Sequence, residues 1–228
     1  MPETYYKAIT PDGFDFHTGK VDYGTPAKAR LKKDRTVTHP SPKANAVNAN
    51  SYFSVATVPT DCTGMRWPAR LLEVEAIGEA WTPHTSDLPN KRAVTGIRII
   101  RELPAWQLFG AEGERILELI DKFDKRTPEQ REALYAAYTA DYDKFWRVES
   151  AVFDDGRADQ AGLVAARDAL CVLLVGWHGD YSSYCAALAL LCRPLVGTVF
   201  TQQEYDILST PWRSVMGEIH PDDKPVAK

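Results

Sequence analysis

Apolar and polar positions alternate through the first half of the chain and recur at helical spacing through the second. Tyr5 to Ile9 reads as a strand, and Pro11-Asp12-Gly13 as a turn, because Pro presets φ and Gly accepts positive φ. Phe14 to Thr18 alternates and is expected to pair back as a hairpin. Residues 24–50 are rich in Pro, Ala, Asn, Lys and Ser and read as a long surface excursion, with one short helix at Ala27 to Lys33. Tyr52 to Ala56 is the next strand, and Thr57 to Cys62 one helical turn. In the strand Arg70 to Ile77, Leu72, Val74 and Ala76 share one face, and Leu71, Glu73, Glu75 and Ile77 the other. Lys91 to Leu103 is the longest strand, closed by Pro104.

After Gly110 the period changes. Ile116, Leu117, Leu119, Ile120 and Phe123 mark an amphipathic helix. Thr127-Pro128-Glu129-Gln130 starts another, with Thr127 at the N-cap, Pro128 at the first helical position and Gln130 completing a capping box. That helix carries Leu134, Tyr138, Tyr142, Phe145 and Trp146, and ends at Asp154-Asp155-Gly156. Gly162 to Trp177 and Tyr181 to Leu191 are two apolar helices. Thr201 to Glu204 is a second capping box, whose helix is expected to stop or bend near Pro211; the tail HPDDKPVAK reads as frayed. Strands first and helices second give an α+β fold: a small, mostly antiparallel N-terminal sheet domain over residues 1–110, and a C-terminal helical bundle over 111–228 packed against it.

Composition supports this. The 228 residues are 44% hydrophobic and 25% charged, enough for one large domain or two small ones with real cores, in a protein expected to be soluble and cytoplasmic. The N-terminus has neither a basic n-region nor an apolar h-region, and the longest apolar run, Cys185 to Cys192, is too short to span a bilayer. The four cysteines lack metal-ligand spacing and read as reduced and buried. The net charge of −4 divides into about +3 over residues 1–110 and −7 over the rest. The basic excess sits at Lys28, Arg30, Lys32, Lys33 and Arg35, which can meet the phosphates of a nucleic acid or form a solvated loop or helix surface.

Candidate chemistry is sparse. Glu73 and Glu75 point the same way from one strand. They suit acid–base work if a partner raises one pKa, or cross-strand ion pairs with Arg98 or Arg101. His17, His39, His84, His178 and His220 have no ligand spacing; His178 suits a helix C-terminus. There is no phosphate-binding glycine loop, dinucleotide fingerprint or nucleophile elbow. The stripe Tyr135, Tyr138, Tyr142, Phe145 and Trp146 reads as core packing or as a partner-facing groove.

Two resemblances extend this reading. The opening Tyr6-Lys7 strand, the D-F-x-x-G turn at Asp15, the T-x-P-x-D step at Thr57, the L-x-E-V-E strand at Leu71 and the late R-I-x-R-E-L strand at Arg98 resemble a family of actinobacterial and actinobacteriophage proteins of unknown function. That resemblance implies no established activity and no cofactor; the aromatics and the lack of a complete site lead to an accessory protein of phage or actinobacterial origin that binds a host or virion protein. The order strand, S-x-x-T, short helix and L-x-E-V-E-A strand is similar to ADP-ribosyltransferase-like and RNA 2′-phosphotransferase-like folds. It implies an NAD-binding cleft lined by Tyr6, Tyr52, Ser54 and Thr57, with Glu73 or Glu75 as the catalytic carboxylate.

Overall fold

The computed structural model describes residues 3–24, 35–62, 64–83, 90–154, 163–176 and 180–224. The fold is α+β, with a six-stranded antiparallel sheet in the first half and six α-helices in the second. The chain divides into two compact units, Met1–Leu108 and Phe109–Lys228.

In the first unit the strands are β1 (Thr4–Ile9), β2 (Arg35–Thr38), β3 (Phe53–Ala56), β4 (Arg70–Ile77), β5 (Lys91–Val94) and β6 (Gly96–Leu103), in the order β2-β6-β4-β1-β3-β5. The long strand expected over 91–103 is interrupted at Thr95. Its first part pairs with β3 and its second with β4 and β2. Four strand spacings separate β6 from β5, about 19 Å in a flat sheet. Val94 and Gly96 are two residues apart and span at most about 7 Å. The sheet therefore curls on itself, and the bent β5–β6 segment closes it. The bend also resets the alternation, so that Val94, Ile97 and Ile99 all join the core with Tyr5, Ile9, Phe53, Val55, Leu72 and Val74. Gly96 fits because a Cβ there would lie 3.3 Å from the Val37 carbonyl oxygen and 3.4 Å from the Ile77 Cβ.

The expected Phe14–Thr18 hairpin does not form, and β1 pairs with β3 and β4 instead. The Asp15 carboxylate takes up the amides that a ladder would use, those of Thr18, Lys20 and Val21, and only an isolated bridge joins Phe14 to Asp22. The excursion over 24–50 contains β2, which sequence reading missed. The helix expected at Ala27 to Lys33, and Lys28, Arg30, Lys32 and Lys33 with it, lie outside the described residues; Arg35 starts β2 and donates 2.8 Å to the Asp22 carbonyl.

The helices of the second unit are α1 (Gly113–Asp124), α2 (Pro128–Ala140), α3 (Tyr142–Glu149), α4 (Val164–Leu170), α5 (Tyr181–Cys192) and α6 (Gln202–Met216). α5 is buried from Ser182 to Cys192, as an all-apolar helix requires, and α1, α2, α4 and α6 pack on it. Both capping boxes form, at Thr127 and Thr201. α6 runs on through Pro211, because the burial of Tyr205, Leu208 and Trp212 outweighs the lost backbone bond. The tail is anchored as far as it is described: Asp223 accepts from the Tyr205 hydroxyl at 2.7 Å and from the Ile219 and His220 amides at 3.0 Å. Cys62, Cys185 and Cys192 are buried, Cys171 is half-buried, and all four are free thiols. Among the described residues, no helix is long and apolar enough to cross a membrane.

Leu72 is fully buried in the sheet core. Leu72→Ala is expected to cost about 2–5 kcal/mol in urea unfolding. Glu75→Gln, which removes only an ion pair to the half-exposed Arg98, is expected to cost about 0.2–1 kcal/mol.

Candidate functional site

Along β1 the side chains of Tyr5, Lys7 and Ile9 share a face, and Tyr5 and Ile9 belong to the core. Lys7 is therefore a cation placed on the core side of the sheet. There it meets a cavity of about 630 Å³ within the first unit. β1 supplies Lys7 and Ala8, β3 and its approach supply Tyr52, Phe53 and Ser54, and β5 supplies Lys91. The loop folded around Asp15 brings Phe16, His17, Thr18, Lys20 and Val21, and Tyr23 follows it. β2 delivers His39, whose amide donates 2.9 Å to the carbonyl of Thr95, so the bend that closes the sheet also fixes one wall. Gly64 and Arg66 also line it, as do Pro40, Ser41 and Asn50.

The Lys7 ammonium donates to the Ser54 carbonyl at 3.1 Å and lies 5.4 Å from the centre of the Tyr23 ring. Burial holds its pKa below the usual lysine value; Cys62 and Asp15 act to raise it, and Lys91 to lower it further. Cys62 supplies no counter-charge at neutral pH, because burial pushes its thiol up to about 12. Lys91 is likewise lowered by burial. For Asp15, burial alone would raise the pKa. Hydrogen bonds from the Thr18 and Val21 amides, the Thr18 hydroxyl and the Lys20 amide outweigh it and hold the carboxyl below its ordinary range. Its oxygens are thus committed to its own loop, at 2.5 Å to the Thr18 amide and 2.8 Å to the Val21 amide.

His39 packs edge-on against Phe53 at 5.0 Å, and its Nδ1 accepts from the Ser41 amide at 3.1 Å. Burial keeps its pKa below the ordinary histidine value. The hydroxyls of Tyr23 and Tyr52 are buried without a hydrogen-bond partner among the described residues. An orphaned buried hydroxyl is costly, and both residues line the cavity.

Of the residues singled out from sequence, the structure brings Tyr52 and Ser54 to this cavity, with Lys7 where Tyr6 was expected. Tyr6 has the opposite parity and stands across from Glu73. Glu73 and Glu75 lie on that opposite face and not in the cavity. Glu73 accepts from Arg101 at 2.5 Å, and Glu75 from Arg98, the cross-strand alternative. Thr57 is tied to Asn90, donating from its amide at 2.8 Å and from its hydroxyl to Oδ1 at 3.2 Å. Sequence reasoning missed Lys7, His39, Arg66 and Lys91. The alternation Tyr5-Lys7-Ile9 was the available signal for Lys7; the others converge only through the closed sheet.

His84 and His178 lie outside the described residues. Among the described residues, no group of three or more His, Cys, Asp or Glu side chains is placed to hold a metal ion. Asp15→Asn is expected to loosen residues 15–21, at a cost of about 1–3 kcal/mol. With a folded pKa below the unfolded one, the stability Asp15 contributes is complete above the unfolded value of about 3.8 and is lost as pH falls through the lower folded value. Acid unfolding of the wild type and Asp15→Asn checks this, since the variant should lack that component. No family model matches the chain, and no curated protein or solved structure matches it either.

Proposed function

We propose that the cavity of the first unit binds a small anionic ligand that carries a planar ring, the class to which nucleotides and NAD belong. The observation that carries this reading is the charge of the lining. Lys7, Lys20, Arg66 and Lys91 stand against one carboxylate, Asp15, whose oxygens are already committed to its loop. Such an imbalance within low-dielectric walls attracts and retains an anion. Phe16 supplies a half-buried ring face, and the buried rings of Tyr23, Tyr52 and Phe53 form the apolar wall behind it.

ADP and NAD at millimolar concentration are expected to raise the melting temperature, and Arg66→Ala and Lys91→Gln to weaken the shift. Absence of any shift in the folded wild type overturns the reading.

A second reading, an accessory protein that binds a host or virion protein, is supported by the aromatic surface of the helical unit. Tyr135, Tyr142, Trp146 and Tyr181 are 68%, 48%, 55% and 43% exposed. Two of them, Tyr142 and Tyr181, meet Tyr138, which stacks on Phe145 at 5.1 Å and on Tyr181 at 5.5 Å and meets Tyr142 edge-on. Exposed tyrosine and tryptophan on rigid helices anchor partners at low entropic cost. A stoichiometric partner retained by the wild type and lost in Tyr142→Ala/Trp146→Ala, at unchanged melting temperature, is the expected result; recovery of background alone counts against it.

A further inference from the structure

We infer that Lys7 is a nucleophile, and that its amine condenses with the carbonyl of an aldehyde or ketone carried on the anionic, planar-ring ligand proposed above. This rests on that ligand class and adds the reacting group. The geometry sets Lys7 apart from the other cations of the cavity. It projects from the middle of β1 between the core residues Tyr5 and Ile9, and its nitrogen meets one carbonyl, that of Ser54, and one ring, that of Tyr23. Asp15, the one carboxylate among the lining residues, is engaged by the amides and hydroxyl of its own loop. Burial accordingly favours the neutral amine, the form that attacks a carbonyl. Lys20, Arg66 and Lys91 remain to hold the ligand's anionic group. Tyr23, 1% exposed, walls the amine off from bulk water on its ring side.

The step balances without an oxidant or reductant. The nitrogen lone pair forms the new carbon–nitrogen bond, and the carbonyl π pair moves to oxygen. The two protons lost by the nitrogen leave with that oxygen as water, and the carbon–nitrogen double bond remains. Lys7 is thereby joined to the ligand as an imine.

The test uses the full chain with pyridoxal 5′-phosphate, an anionic planar-ring aldehyde, trapped by cyanoborohydride and mapped by peptide mass spectrometry. Lys7 is expected to label faster than an ordinary surface lysine, since a lowered lysine pKa raises the unprotonated fraction that attacks the aldehyde. Lys125 and Lys144, with side chains 71% and 59% exposed, are the internal references. ADP is expected to slow labelling at Lys7 and not at the references, and Lys7→Arg to abolish the fast component. Labelling of Lys7 no faster than the references overturns the inference; the wild-type map decides this even if Lys7→Arg does not fold. Stabilisation by nucleotides without fast Lys7 labelling removes the imine and keeps the binding reading. Fast Lys7 labelling without nucleotide stabilisation keeps the imine and removes the nucleotides as ligands.

Discussion

One covalent constraint shapes the first unit: a single residue, Thr95, joins two strands that lie four places apart in the sheet. No flat arrangement satisfies it, so the sheet must curl until β5 and β6 meet. Closure then decides which side chains are enclosed. Tyr5, Ile9, Leu72, Val74, Ile97 and Ile99 are buried because they face inward; Arg98 alternates with Ile97 and Ile99 and faces outward to Glu75, and the register shift at Glu73/Val74 carries Arg101 to the same side, where it pairs with Glu73. The same bend receives the His39 amide on the Thr95 carbonyl, which ties the cavity wall to the element that closes the sheet.

Enclosure gives Lys7 its chemistry. The same side chain one residue earlier would lie on the face of Glu73, within reach of a carboxylate and water, and would be an ordinary ammonium. A two-residue period makes every position on a strand a choice between these environments. The loop around Asp15 satisfies that carboxylate, the one among the described lining residues, with its own backbone and the Thr18 hydroxyl. The resulting charge imbalance is a property of four separate segments and of no single motif.

Local pattern made much of the architecture legible. The strand faces of Arg70 to Ile77, both capping boxes and the buried helix at Cys185 to Cys192 were readable because each is determined by neighbours within a turn or a pleat. The break at Thr95, the edge strand Arg35–Thr38 and the passage of α6 through Pro211 were not, since each is imposed by tertiary pairing that overrides local propensity. Tyr52 and Ser54 were visible as candidates from their strand. Glu73 and Glu75 drew attention by type alone, and their arginine partners account for them. His39, Arg66 and Lys91 are distant in sequence and ordinary in context, and become a group only on closure.

The burial of α5 on every side has a consequence for how the helical unit comes apart. Its surface from Ser182 to Cys192 is covered by α1, α2, α4 and α6, and its sequence offers no polar face to water. Peeling away one neighbour exposes part of that apolar surface, a loss that no single helix recovers alone. Partial opening is therefore penalised nearly as heavily as complete opening, and the helices around α5 form one cooperative folding unit.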